Sequence, residues 1–76
     1  MVLDELAKRI EAAEPTAHCQ INKMDFQIIV SFDKRQDVEI ALLTPYAKKQ
    51  VLNGCIDNDL YSDLLFSVKR IANYAI

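Results

Sequence analysis

Phe26-Gln27-Ile28-Ile29-Val30-Ser31-Phe32, the charged stretch Asp33-Lys34-Arg35-Gln36-Asp37, and Val38-Glu39-Ile40-Ala41-Leu42-Leu43 together decide the fold class. Phe26, Ile28, Val30 and Phe32 recur at every second residue, and so do Val38, Ile40 and Leu42. Successive side chains of an extended chain point to opposite faces, so each run predicts a strand with one apolar face. The connection over residues 33 to 37 is too short for a crossover, which makes the pair antiparallel. The alternation extends upstream, where Ala17, Cys19 and Ile21 alternate with His18, Gln20 and Asn22. The polar stretch Asn22 to Asp25 turns this strand into the next, although Met24 within it leaves the register open. Three strands in an antiparallel meander are expected.

Helical spacing flanks the strands on both sides. Leu3, Leu6, Ala7, Ile10 and Ala13 form one stripe, opposite the i,i+4 pairs Asp4/Lys8 and Glu5/Arg9. Pro15 ends this helix near Ala13, because its ring fixes φ and it has no N–H to donate. Downstream, Thr44 is placed to cap a second helix with Pro45 at its first position. That helix runs to about Leu52 and closes at Asn53-Gly54, where the only glycine of the chain suits a left-handed backbone. From Asp59 onward, Leu60, Leu64, Val68, Ile71 and Ala75 make a third stripe on a helix expected to reach Tyr74, with acidic residues at its start and Lys69 and Arg70 near its end. The sequence predicts one α+β domain over residues 1–76, in the order α-β-β-β-α-α.

A chain of 76 residues has room for one core. Domains of this size bury only about 60% of their unfolded surface, so a dense core, a staple or a partner is needed. The 51% apolar content favours a dense core, and 26% charged residues imply an ordinary soluble surface. Cys19 and Cys55 are too few for a disulfide framework, and the first residues do not resemble a signal peptide. Both read as reduced thiols in a cytoplasmic protein. The apolar runs fall far short of the ~20 residues of a membrane span. A net charge of −2 implies neither strong phosphate affinity nor mimicry of nucleic acid.

Few side chains suggest chemistry. His18 and Cys19 are adjacent in a strand, so the imidazole and the thiol diverge to opposite faces and do not make a nucleophile pair. Two cysteines and one histidine lack any CxxC or HxxxH spacing for zinc. Asp57-Asn58-Asp59 resembles the start of a calcium loop, but Ser62 and Val68 stand where such a loop needs Gly and Glu; capping of a helix explains the residues better. One glycine excludes a glycine-rich phosphate loop. Three basic pairs, Lys34-Arg35, Lys48-Lys49 and Lys69-Arg70, are the candidates for phosphate contact. A helix-turn-helix built from the last two helices would enter a groove with Asp57 and Asp59 leading, and those would repel phosphate.

Two surfaces hold more promise. Ile29, Ala41 and Leu43 alternate onto the second face of the sheet, which one helix layer cannot cover, so either helices pack on both faces or a partner buries one of them. On the third helix, Phe66 falls away from the apolar stripe, among Ser62, Asp63, Arg70 and Asn73, with Tyr74 farther round. Aromatic residues and arginine are favoured interface anchors. Tyr46, on the opening turn of the second helix, is a weaker candidate. These residues suggest a small non-enzymatic interaction module, a regulator or inhibitor that binds a larger protein or self-associates. Its contacts would be Phe66, Arg70 and Tyr74 on the helix, and Ile29 and Leu43 on the sheet. A nucleic-acid accessory role through the basic pairs is the alternative, and an enzyme whose site forms only between subunits is the third. No cofactor, metal or small-molecule ligand is implied.

Overall fold

The alternating and helical patterns fold as six elements: α1 (Val2–Ala13), β1 (Ala17–Asn22), β2 (Gln27–Phe32), β3 (Arg35–Ala41), α2 (Pro45–Leu52) and α3 (Asn58–Tyr74). The computed structural model describes residues 2–54 and 56–74, with Tyr74 described by its backbone only. The architecture is α+β in the expected order, and the sheet is an antiparallel meander β1-β2-β3. Register pairs Ala17 with Phe32, Cys19 with Val30 and Ile21 with Ile28, so the apolar sets of neighbouring strands share one face. Onto that face the helices deliver Leu3, Leu6 and Ile10 from α1, Ala47 and Val51 from α2, and Leu64, Val68 and Ala72 from α3. Together with Ile28, Val30 and Phe32 they form a single buried cluster. The opposite sheet face carries the exposed residues His18, Gln20, Glu39 and Ala41, and no helix among the described residues covers it. No helix among the described residues is long and apolar enough to cross a membrane.

The element ends follow the local chemistry. Thr44 Oγ1 accepts the Ala47 N–H at 3.1 Å, with Pro45 at the first position of α2. Gly54 has φ +74 and donates to the Val51 carbonyl, which closes α2. Asp57 Oδ1 accepts the Leu60 N–H at 2.8 Å and caps α3. At the exposed edge of the sheet, β1 is shielded by α1: Glu11 Oε2 accepts the Cys19 N–H at 2.9 Å, a backbone donor that would otherwise invite another strand.

Three details of the sheet differ from the alternation pattern. Phe26 is the last residue of the β1-β2 turn rather than the first of β2, and it holds φ +49, a left-handed conformation that a bulky side chain rarely adopts. Its ring packs against the core, which offsets the backbone cost. The β2-β3 turn contracts to Asp33-Lys34, and β3 begins at Arg35 opposite Phe32. The next partner of β2 is Glu39 opposite Ser31, so residues 36–38 bulge out of the ladder.

The third difference corrects the placement of Leu43. Alternation puts this side chain on the second sheet face with Ile29, but β3 stops at Ala41, and both Leu42 and Leu43 are buried. Leu43 is only 3% exposed and cannot serve as a surface contact. The cause is Gln27, a polar residue buried to 7% exposure. Its Nε2 donates to the Leu43 carbonyl at 2.9 Å, while its Oε1 accepts the N–H groups of Leu43 and Ile28. The side-chain amide thus continues the ladder one step beyond the backbone bond from the Leu42 N–H to the Ile28 carbonyl. It frees the chain to fold over the core toward α2.

Replacing Gln27 with Leu keeps the volume but strands two N–H groups and one carbonyl in the core. Each unsatisfied buried group costs about 1–3 kcal/mol, so Gln27→Leu is expected to lose on the order of 3 kcal/mol in urea denaturation. Gln27→Glu keeps the acceptors but sets a carboxylate against the Leu43 carbonyl, and part of its loss should return on acidification.

Candidate functional site

The third helix presents two unlike faces. Leu64, Val68 and Ala72 are buried, with Leu60, Tyr61 and Ile71 half-buried beside them. At ~100° per residue the opposite side carries Asp59, Ser62, Asp63, Phe66, Ser67, Arg70 and Asn73, all exposed. Phe66 is 68% exposed, as its departure from the apolar stripe predicted. With Lys69, Arg70 and Asn73 it lines an open hollow of about 490 Å³. Arg70 is shared with a second groove, of about 430 Å³, between α3 and β3, whose lining also includes Arg35, Val38, Ser67 and Ile71. Phe66 and Arg70 are therefore brought together, and the bulged start of β3 adds Arg35 to them. Tyr74 ends the helix, and its side chain lies outside the described residues.

This face is carried on a helix tied to the α1 segment at two points. The Arg9 guanidinium sits 4.0 Å over the Tyr61 ring, and the Tyr61 hydroxyl points to the Arg9 carbonyl at 3.3 Å. Two to three turns along, Lys69 Nζ donates to the Ala13 carbonyl at 3.0 Å and lies 3.7 Å from Glu14 Oε1. Lys69 is thus committed to closing α1, a role its sequence position beside Arg70 did not suggest. Glu14 also accepts from the Thr16 hydroxyl. That hydrogen bond, aided by the Lys69 charge, holds the Glu14 carboxyl below its ordinary range against the opposing effect of burial.

The three basic pairs do not assemble. Arg35 and Arg70 meet in one groove, where Asp37 lies 3.8 Å from Arg35. Lys48 and Lys49 belong to α2 and take no part in lining it. On the open sheet face, Ile29 is half-buried at the floor of a depression of about 360 Å³, with Met24, 98% exposed, at its rim. Gln20, Asn22, Lys23 and Glu39 make most of the remaining wall, so this face is more polar than the set Ile29, Ala41 and Leu43 implied. Tyr46 is exposed and borders another depression beside Asp57, Asp59 and Asp63.

His18 and Cys19 do diverge. His18 is exposed, and its Nε2 lies 2.6 Å from Asp33 Oδ1, tying the β2-β3 turn to β1 alongside the backbone bond from the Asp33 N–H to the Thr16 carbonyl. Cys19 faces the core as a free thiol, pushed up to about 11 by burial and by the nearby Glu11 carboxylate, so it stays protonated at neutral pH. Among the described residues no group of three His, Cys, Asp or Glu side chains is placed to hold a metal ion.

No protein-family model, no curated protein and no solved structure matches this chain.

Because the Glu14 carboxyl is depressed in the folded state, it contributes stability above its unfolded range, and this is lost as pH falls through the lowered folded value. Thr16→Val removes the largest cause. An NMR titration should then find Glu14 shifted upward, toward an ordinary carboxylate, and denaturation at acid and neutral pH should show a smaller Glu14-linked loss on acidification.

Proposed function

We propose that this chain is a small non-enzymatic interaction module that acts by occupying a protein surface, with the exposed face of α3 as its contact. The carrying observation is Phe66, a large aromatic side chain 68% exposed on a helix whose opposite side fills the core. An isolated exposed apolar side chain is ordinary, but here Arg70 lines the same hollow and also a neighbouring groove. An aromatic ring next to an arginine, on a rigid element, is the composition of an interface anchor. The fixed seating of α3 on α1 supports the same reading, since a contact helix already held in place loses little freedom on binding. Regulation or inhibition by steric occupation needs nothing beyond such a face. A cytoplasmic setting fits the free thiol of Cys19.

The convergence of Arg35 and Arg70 favours a second reading, a nucleic-acid accessory role. Asp37 beside Arg35 and the acidic start of α3 weigh against it, because both would repel a phosphate backbone.

Phe66→Ala and Arg70→Ala test the first reading. Each is expected to weaken association about tenfold or more, the loss of an interface anchor, while shifting unfolding stability by no more than about 0.5 kcal/mol, as for exposed sites. Affinity capture and sedimentation of wild type and both variants provide the comparison; equal behaviour of all three removes this face from consideration.

A further inference from the structure

The exposed stripe of α3 is complementary to itself. Asp59, Asp63, Phe66, Arg70 and Asn73 are all exposed, and at ~100° per residue they fall within an arc of about 80°. The charge changes sign along that arc, acidic before Phe66 and basic after it. Asp63 and Arg70 lie two helical turns apart and equally far from the point between Phe66 and Ser67. Among the described residues, neither the Asp63 carboxylate nor the Arg70 guanidinium has an ion-pair or hydrogen-bond partner; the one bond at Asp63 is to its backbone carbonyl, from the Ser67 hydroxyl.

We propose that this face is a homodimerisation surface whose occupant is a second copy of the chain, the two α3 helices lying antiparallel about a two-fold axis between Phe66 and Ser67. The inference rests on reading α3 as the interaction surface. In this arrangement Asp63 of each copy meets Arg70 of the other, giving two equivalent ion pairs, as an isologous contact requires. The Phe66 rings come together at the axis, beside the small Ser67 side chains, which let the helices approach to the usual 8–10 Å. A parallel pairing would set Asp against Asp and Arg against Arg. The helix dipoles favour the antiparallel arrangement too. One helical face with one aromatic residue is smaller than a standard interface, so the dimer is weak and concentration-dependent.

The test is sedimentation equilibrium on the full chain as wild type, Asp63→Arg, Arg70→Asp, and an equimolar mixture of the two variants, with circular dichroism to verify the fold. Wild type should show a reversible monomer-dimer equilibrium that tightens at low salt. Each reversal makes both contacts like-charged and should weaken dimerisation tenfold or more. The mixture should recover a one-to-one heterodimer, because one chain then carries both positive groups and the other both negative groups. A wild type that stays monomeric at millimolar concentration, a dimer indifferent to both reversals, or a mixture no more associated than its components would each overturn the proposal. Phe66→Ala separates the two levels. If wild type is monomeric but Phe66→Ala abolishes binding to a different protein, only the self-pairing falls; if a wild-type dimer ignores Phe66→Ala as well as the reversals, the α3 reading falls with it.

Discussion

The side-chain amide of Gln27 is the constraint on which the arrangement of this small protein depends. By bonding both backbone groups of Leu43, it ends β3 without leaving orphaned polar groups in the core. Inside the protein such a bond is worth little net when made but costs heavily when lost, which is why one amide can determine where a strand stops. Once the ladder closes at this point, the chain turns over the end of the sheet, Leu42 and Leu43 both enter the core, and Thr44 stands where it can cap α2.

The consequences reach α3. All three helices gather on one face of the sheet, so α3 needs only one side of its circumference for burial. Its other side remains exposed, and Tyr61, Lys69 and Glu14 tie the helix to the α1 segment. The exposed face of α3 is thus a by-product of a one-sided core. At the edge of β1, Glu11 occupies the Cys19 N–H, one of the backbone donors that could otherwise pair with another strand.

Much of this was legible in the residues. The stripe Leu60, Leu64, Val68, Ile71 puts Phe66 outside it by periodicity alone, and its 68% exposure follows. The caps Thr44, Gly54 and Asp57 were readable because each acts on backbone groups within a few residues of itself. The failures have a common origin. Alternation assigned Leu43 to the second sheet face because it presumes that a strand continues, and Arg35 to a loop because it cannot see a bulge. The role of Gln27 is invisible to alternation for the same reason, because its partner lies sixteen positions away. Lys69 looked like half of a basic pair, yet it closes a helix at the other end of the chain.

The sequence by itself determined the α+β order, the three helices and the caps of the second and third, the apolar face of each strand, and the isolation of Phe66 and Arg70 from the core stripe. These are local properties, governed by spacing and by backbone groups close in the chain. Only the tertiary structure decided that one sheet face is covered and the other open, that Leu43 is interior, and that Arg35 joins Arg70 in a groove while Lys69 is diverted to Ala13 and Glu14. Those outcomes depend on how buried polar groups far apart in the chain satisfy one another, and periodicity carries no record of such pairings.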